Sequence, residues 1–200
     1  MLHRKIVLAS SSPRRKELLS GLGIQFEIFS PDIPEDVAPG ESPWNLARRL
    51  AYEKWGNVVS KSGFEDYLVI TADTVVDLDG RSLGKPNSRE EAFEMLKSLR
   101  AREHLVHTAV CVGDGTLLLC SVVTTRVKMR NYSDGEIASY VETGSPMDKA
   151  GGYAVQDEFF SPVERMEGSY TNVVGLPLEA VVRMLERFDI KMLGGAAVVR

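Results

Sequence analysis

The chain has 200 residues, of which 44% are hydrophobic and 26% are charged, and its formal net charge is −4 at pH 7. These values are typical of a globular protein, and we expect residues 1–200 to form one α/β domain. The acidic balance argues against a general nucleic-acid surface, which needs an excess of Lys and Arg. No apolar run is long enough to cross a bilayer, and Met1–Ala9 lacks the apolar core of a signal peptide. We therefore expect a cytoplasmic protein.

The two cysteines, Cys111 and Cys120, lie in apolar, β-rich runs of sequence. Such positions are typical of buried thiols in a reducing compartment, so we expect both cysteines to be free. The Cys and His residues show no paired spacing that predicts a zinc site.

The first predicted elements are a buried strand, a serine-rich turn and a helix. Lys5–Ala9 forms the strand, and Pro13 suits the first turn of a helix that Ser12 caps. Arg14 and Arg15 then fall at the helix start, where the helix dipole disfavours cations. Two arginines placed against the dipole indicate a bound anion, and the alternative is an ordinary solvated pair.

After a short strand at Phe26–Ser30, a second predicted helix extends from Ser42-Pro43 to about Val59. Its Lys54 falls in the middle of an apolar arc formed by Leu46, Ala47, Leu50, Ala51 and Val58. A lysine there either extends its ammonium group to solvent or pairs with an anion. The second alternative points Lys54 into a cleft, towards carboxylates or phosphate.

Several charged residues follow predicted strands. Asp73 comes directly after the buried run Leu68–Ala72, and acids in such positions often project into the cleft of an α/β protein. Asp32 and Glu35 lie on another loop, and carboxylates from separate loops are what a hard divalent cation needs. Lys85 is held in a stiff Gly-Lys-Pro turn. Taken singly, each acid is more typical of an ordinary solvated loop.

The second half of the chain mixes helices with a long hairpin. The capping pairs Ser88/Glu91 and Ser133/Glu136 each predict a helix start, and Pro177 opens a last helix that ends near Phe188. The predicted hairpin comprises His104–Val112, a turn at Gly113–Gly115, and Thr116–Arg130. Crossovers combined with a hairpin predict a mixed sheet. Asp148–Gly152 is rich in glycine and is a candidate backbone nest for an anion.

Together, these stretches resemble the Maf family of nucleotide pyrophosphatases. The matching stretches occur in the family's order over roughly residues 5–185. They are Leu8-Ala9-Ser10-Ser11-Ser12-Pro13-Arg14-Arg15, Asp32 with Glu35, Leu50-Ala51 through Lys54, Ala72-Asp73-Thr74-Val75-Val76, Gly84-Lys85-Pro86, Asp148 through Gln156, and Asn172-Val173-Val174-Gly175-Leu176-Pro177.

The resemblance implies a fold like that of inosine-triphosphate pyrophosphatases: an elongated mixed β-sheet flanked by helices, with two lobes around a cleft, usually in a homodimer. It implies that Asp73 is the catalytic acid/base and that Glu35 and Asp73 hold a divalent metal cation, Mg²⁺ or Mn²⁺. It also implies that substrate contacts come from Ser10, Arg14, Lys54 and Lys85.

The resemblance also bears on the substrate. Family members that act on dTTP and UTP resemble this chain at Arg15, Thr74 and Gln156, so we expect these residues to bind substrate. The 7-methyl-GTP type carries an aromatic residue, Gln and Glu at those places. The chain departs from the family pattern at Ala101, where Gly is common, and at His104–Ala109, where the usual pattern ends in Thr-Gly.

These features predict an enzyme that hydrolyses dTTP and UTP to the monophosphate and pyrophosphate, with modified pyrimidine triphosphates as further candidate substrates. Such an enzyme would keep non-standard nucleotides out of nucleic acid. One alternative is a pyrophosphatase for a modified purine triphosphate, such as the 7-methyl-GTP type. Another is a nucleotide-binding regulator of cell division without turnover, in line with the family's older description as a septum-formation inhibitor.

Overall fold

The computed structural model describes residues 4–61, 63–64 and 66–190. The strands are β1 (Lys5–Ala9), β2 (Glu27–Phe29), β3 (Tyr67–Leu78), β4 (Arg81–Leu83), β5 (Glu103–Gly113), β6 (Leu118–Met129) and β7 (Val163–Glu167). The helices are α1 (Pro13–Ser20), α2 (Pro43–Val59), α3 (Arg89–Leu99), α4 (Asp134–Glu142), α5 (Tyr170–Val174) and α6 (Leu178–Glu186). Short 3-10 turns lie at Ser145–Asp148 and Ala150–Gly152. Within these ranges no helix is both long and apolar enough to span a membrane.

The strands form one mixed, open sheet in the order β2-β1-β3-β5-β6-β7, with β4 paired to β3. Strand β1 runs parallel to β2 and β3, whereas β3, β5, β6 and β7 pair antiparallel in succession. The predicted hairpin is present, and the Asp114 carboxylate accepts hydrogen bonds from the backbone N–H groups of Thr116 and Leu117 in its turn. The predicted α/β class with a mixed sheet is therefore confirmed.

Helix α2 covers one face of the sheet. Alternate side chains of β3 point to this face, because successive residues of a strand face opposite sides. Val75 packs there against the apolar side of α2, together with Ala109 and Cys111 of β5. The Thr71 hydroxyl donates to the carbonyl oxygen of Ala51 at 2.7 Å, which ties the strand to the middle of the helix. This contact fixes how far along β3 the side chains of α2 lie, including that of Lys54, which follows Ala51 in the same helix.

The opposite face of the sheet carries two separate apolar clusters. One contains Ala72 and the side chains of α1 and α6, and the other contains Val76 and the side chains of α3 and α4. Thr74 lies between Ala72 and Val76 on the same face of β3, and it belongs to neither cluster. The polar interval between the two clusters forms the floor of a cleft, as expected for a fold with two lobes.

Most helix starts agree with the predictions. Ser12, Ser42 and Ser133 cap their helices, and the Ser133/Glu136 capping box has both of its hydrogen bonds. The box predicted at Ser88 is only half formed. Ser88 accepts from the backbone N–H of Glu91, but the Glu91 carboxylate accepts from the N–H of Asn87 instead. The N–H one residue before the cap is within reach, so the acid satisfies that donor.

Three elements have no counterpart in the sequence prediction. Strand β4 pairs antiparallel with β3, strand β7 pairs antiparallel with β6, and α5 is a single short helix before Gly175. All three are short, so local periodicity carries little information about them. Residues 191–200 of the apolar tail lie outside the described residues.

The prediction of two free, buried thiols is wrong. Cys111 and Cys120 are directly opposite in the β5–β6 register and form a disulfide, and Cys120 is exposed. The register explains the error. A turn at Gly113–Gly115 would have placed Cys111 opposite Leu117, but the observed turn spans residues 114–117 and moves Cys120 into that place.

The backbone at Ala101 is strained. Its φ angle is 56°, in the left-handed region that an L side chain adopts only at a cost. Ala101 follows α3 and donates its N–H to the carbonyl oxygen of Arg130. The turn thus keeps a conformation suited to glycine, the residue that is common here in the resembling family.

Candidate active site

A cleft of about 340 Å³ lies beside the middle of β3, just beyond the point where β1 ends opposite Thr71, so that Asp73 lies within the strand rather than after it. Its walls come from the β1–α1 turn, the loop before α2, α2 itself, β3, the loop after β4 and the segment around the second 3-10 turn. All nine site residues predicted from the sequence line it: Ser10, Arg14, Arg15, Glu35, Lys54, Asp73, Thr74, Lys85 and Gln156. Asp32 does not line the cleft; its side chain is exposed and its carbonyl oxygen accepts from Asn57.

Lys54 joins two carboxylates at the centre of the cleft. Its Nζ lies 2.5 Å from Oδ1 of Asp73 and 2.6 Å from Oε1 of Glu35. Lys54 is 8% exposed and Asp73 is 6% exposed, whereas Glu35 is open to solvent. Of the two alternatives left open for Lys54, the structure has the ion pair. The ammonium group holds the two carboxylate oxygens within about 5 Å of each other.

The two acids have opposite pKa shifts. Burial raises the pKa of Asp73, and the nearby charges of Lys54 and Arg15 only partly offset this effect. For Glu35, partial burial alone would raise the pKa, but the hydrogen bond and charge of Lys54 and the charges of Lys85 and Arg15 outweigh it. The pKa of Glu35 therefore lies below its ordinary value. Acids that differ in this way are suited to different roles.

The start of α1 supplies the cationic wall of the cleft. The first turn of this helix contains no acid. Arg14 pairs with Asp148 across the cleft, through Nη1–Oδ2 at 2.9 Å and Nη2 to the carbonyl oxygen at 3.1 Å. Ser10 is buried, and its Oγ accepts from the N–H of Ser12 and from Nη1 of Arg15. Both arginines of the helix start thus line the same cleft.

Arg15 is fixed by contacts on three sides. Its Nε donates to the carbonyl oxygen of Gly175 at 2.7 Å, and its Nη2 donates to Oγ1 of Thr74 at 3.0 Å. Desolvation lowers the pKa of Arg15, although the charge of Asp73 opposes this shift. Gly175 has a φ angle of 120°, and a Cβ there would lie 3.3 Å from Oγ1 of Thr74. Glycine at this position therefore leaves room for the Arg15–Thr74 contact.

The remaining predicted residues lie on the open side. Lys85 and Gln156 are exposed cleft residues, and the charge of Lys85 acts on Glu35. The backbone nest expected at Asp148–Gly152 is not available for an anion. The N–H of Gly151 donates to the carbonyl oxygen of Gly84 at 2.9 Å, and the N–H of Gly152 donates to Lys149. The hydrogen bond from Gly151 to Gly84 holds the segment against the loop that carries Lys85.

The donor set is suited to a divalent cation that is shared with a substrate. Among the described residues, no group of three or more His, Cys, Asp and Glu side chains could enclose a metal ion. Glu35 and Asp73 nevertheless present oxygen atoms close together in an open cleft, and Mg²⁺ commonly binds through one or two carboxylates, water and substrate phosphate. The residues therefore fit a cation that arrives with a phosphate ligand.

Comparison with known proteins identifies the family. The family model described as "Maf-like protein" matches residues 5–188, which include the whole cleft. The chain belongs to the Maf family. Among its Maf-like relatives, a dTTP/UTP pyrophosphatase of Geobacter metallireducens is 48% identical over 90% of this chain and 94% of its own length. The corresponding proteins of Geobacter sulfurreducens and Dictyoglomus turgidum are 46% and 43% identical, over 92% and 96% of this chain and 96% and 100% of their own lengths.

The sequence did not single out several residues that shape this Maf cleft. Asp148 was considered only for its backbone, yet its side chain pairs with Arg14. Thr108 and Asn172 lie behind Thr74, and nothing in their spacing indicates that they meet β3. One wall of the cleft is apolar, with contributions from Val76, Val106, Tyr153, Ala154 and Val173. Such residues look like ordinary core in a sequence, so only the fold reveals them.

Proposed function

We propose that the chain is a nucleoside-triphosphate pyrophosphatase that hydrolyses dTTP and UTP to the monophosphate and pyrophosphate. The main support is the group formed by Asp73, Lys54 and Glu35, which lies directly beside the arginines at the start of α1. Acids that could activate water and cations that could hold a triphosphate thus share one cleft. The names of the Geobacter and Dictyoglomus relatives support the same substrate pair.

The triphosphate would lie along the cationic wall. Arg14, Lys54 and Lys85 would neutralise its charge and that of the departing pyrophosphate, because cations that face developing negative charge lower the barrier. Ser10, which lies in the turn before α1 and lines the cleft, would also contact the triphosphate. Arg14 would exchange part of its contact with Asp148 for a phosphate oxygen, since its five N–H donors exceed the two hydrogen bonds that it makes to Asp148.

Asp73 would accept a proton from the attacking water. The water oxygen forms a bond to the α-phosphorus while the bond from that phosphorus to the bridging oxygen breaks, and pyrophosphate leaves with the electron pair. Burial gives the Asp73 carboxylate a raised pKa, which makes it a better base than an exposed aspartate. The adjacent ammonium group of Lys54 favours the ionised form that accepts the proton.

Glu35 and Asp73 are the residues that would hold the divalent cation, Mg²⁺ or Mn²⁺. When bound, such a cation neutralises phosphate charge and polarises the phosphorus centre. Lys54, which now bridges the two acids, would then contact phosphate in place of one carboxylate. Glu35→Gln should therefore raise the metal concentration required for half-maximal rate. Asp36→Asn, a change at an exposed neighbouring side chain, is the matched control.

The base would occupy the apolar side of the cleft. Thr74, Arg15 and Gln156 present polar groups beside the apolar wall, an arrangement typical of a small-molecule pocket with a few orienting contacts. We further propose that the protein acts in the cytoplasm as a single-domain homodimer, as the family resemblance implies.

The direct test is pyrophosphate release from ordinary and modified triphosphates in the presence of Mg²⁺ or Mn²⁺. The proposal expects turnover of dTTP and UTP well above that of purine triphosphates. A preference for 7-methyl-GTP would instead assign the chain to the other substrate type. Tight nucleotide binding with no pyrophosphate from any substrate would favour the regulator.

A further inference from the structure

Behind the cleft, a chain of hydrogen bonds joins strands β3 and β5 to helices α1 and α5. Thr74 and Thr108 are direct partners in the β3–β5 register, and their Oγ1 atoms are 3.0 Å apart. The Thr108 hydroxyl also lies 2.8 Å from the carbonyl oxygen of Asn172 in α5. On the cleft side, Nη2 of Arg15 donates to Oγ1 of Thr74.

The direction of every proton in this chain is determined. A carbonyl oxygen only accepts, so the single hydroxyl proton of Thr108 is donated to Asn172. Thr108 then has no proton left for Thr74, and the Thr74 hydroxyl must donate to Thr108. Arg15 only donates, so Thr74 accepts from it. One lone pair on Oγ1 of Thr74 remains unused, so towards a ligand in the cleft Thr74 can only accept a hydrogen bond.

The anchor of this chain is rigid. Asn172 is fully buried, and its Nδ2 donates to the carbonyl oxygen of Val106 at 3.0 Å and to Oγ1 of Thr125 at 2.9 Å. Thr108 is also fully buried, whereas Thr74 is partly exposed to the cleft. The orientation of the Thr74 hydroxyl is therefore set by groups that a ligand does not touch.

We propose that Thr108 is a positioning residue that fixes Thr74 as a hydrogen-bond acceptor and thereby selects bases with an N3–H group, uracil and thymine, over cytosine. This inference rests on the proposed function and specifies how the base is read. Uracil and thymine present a donor at N3 between two carbonyl oxygens, and the unused N–H groups of Arg15 can serve one of those oxygens. Cytosine presents an acceptor at N3, which would face the Thr74 lone pair without a proton between them.

The test compares kcat/KM for UTP and CTP in the wild type, Thr108→Val and Thr108→Ser. In Thr108→Val the Thr74 hydroxyl loses its acceptor and can turn its proton towards the N3 atom of cytosine. The UTP/CTP ratio should fall at least about tenfold, mainly through faster CTP turnover. Thr108→Ser keeps the hydroxyl and should restore the wild-type ratio. A structural role alone would lower both rates together and would leave the ratio unchanged.

Two further measurements test the inference even if Thr108→Val does not fold. Thr74→Val, which removes the acceptor, should lower kcat/KM for UTP without lowering it for CTP. The wild type should discriminate against 3-methyl-UTP, which keeps both carbonyl oxygens but lacks the N3 donor, about as strongly as against CTP. Unchanged UTP/CTP ratios in Thr108→Val and Thr74→Val, or equal use of UTP and 3-methyl-UTP by the wild type, would overturn the inference.

The inference and the proposed function fail in different ways. Pyrophosphate release without a preference between UTP and CTP would overturn the inference and leave the enzyme assignment intact. If no triphosphate is hydrolysed, the enzyme assignment fails. The affinities of the same variants for α,β-imido analogues of UTP and CTP then still show which base the pocket prefers. Equal affinities of the wild type for the two analogues would then overturn the inference as well.

Discussion

At the scale of single residues, two opposed effects act on the ionisation of the Asp73 carboxyl group. Its burial disfavours the charged form, while the ammonium group of Lys54 at 2.5 Å favours it. An amide at this position would keep the shape of the carboxylate but could not accept a proton from water.

We therefore expect Asp73→Asn to lower kcat by about 10²–10⁴-fold, the usual contribution of a positioned general base. Nucleotide binding should persist, because Arg14, Lys54 and Lys85 remain. Steady-state kinetics and calorimetric binding of a non-hydrolysable triphosphate measure the two effects separately. An Asp73→Asn protein with near-normal kcat would remove Asp73 from the mechanism.

His104 gives a prediction about stability and pH. It is buried, its Nε2 lies 2.6 Å from the Tyr153 hydroxyl, and its Nδ1 has no hydrogen-bond partner among the described residues. Desolvation lowers the pKa of His104 from 6.5 to about 4, against a smaller opposing effect of the Asp77 charge. The unfolded chain thus binds a proton at a higher pH than the folded chain does.

The folded state should therefore lose up to about 3 kcal/mol of stability through this histidine as the pH falls from 6.5 towards 4. Above about pH 7.5 the residue is almost wholly neutral in both states and has no such effect. His104→Gln, which can still bond to Tyr153, should flatten the curve of unfolding free energy against pH over this window. Urea unfolding at several pH values tests this, and parallel curves for the two proteins would contradict it.

At the scale of elements, Ala101 provides a local test of the turn between α3 and β5. Ala101→Gly should raise the free energy of unfolding by about 0.5–1 kcal/mol, because relief of the left-handed strain exceeds the added flexibility of the unfolded chain. Ala101→Val is the matched control and should lower it, since a β-branched residue tolerates this φ angle poorly. If Ala101→Gly instead lowers the free energy of unfolding, the assigned backbone conformation is wrong.

The sequence predicted the elements better than their contacts. The position of Lys54 on the apolar face of α2 predicted either an ammonium group that reaches solvent or an anionic partner. The observed pairing with Asp73 and Glu35 depends on how α2 lies over β3. The pairing of Cys111 with Cys120 was likewise not predicted, although the two residues are close in the sequence. The hairpin was predicted, yet the position of its turn, which decides the cross-strand partner, was not. Contacts such as Arg15 with Thr74 join distant segments and need the assembled sheet.

At the scale of the whole molecule, the nine predicted site residues are separated in sequence by up to 146 positions, from Ser10 to Gln156, and still line one cleft. Because β1 runs parallel to β3 and ends opposite Thr71, the β1–α1 turn begins close to Asp73. The family resemblance predicted this gathering. The hydroxyl chain through Thr108 and Asn172 was not predicted, because it depends on strand register and on α5.

The assembly state is a further whole-molecule prediction. Light scattering at micromolar concentration should give twice the mass of one chain, as the homodimer proposal requires. A fully active protein with the mass of a single chain would show that one copy contains the complete site and would refute that proposal.

The central claim is that water attacks the α-phosphorus of a bound triphosphate beside Asp73. Turnover of dTTP in ¹⁸O-labelled water, followed by mass spectrometry of both products, tests it most directly. The account predicts one ¹⁸O atom in the monophosphate and none in the pyrophosphate. Label in the pyrophosphate, or release of inorganic phosphate as the first product, would contradict it.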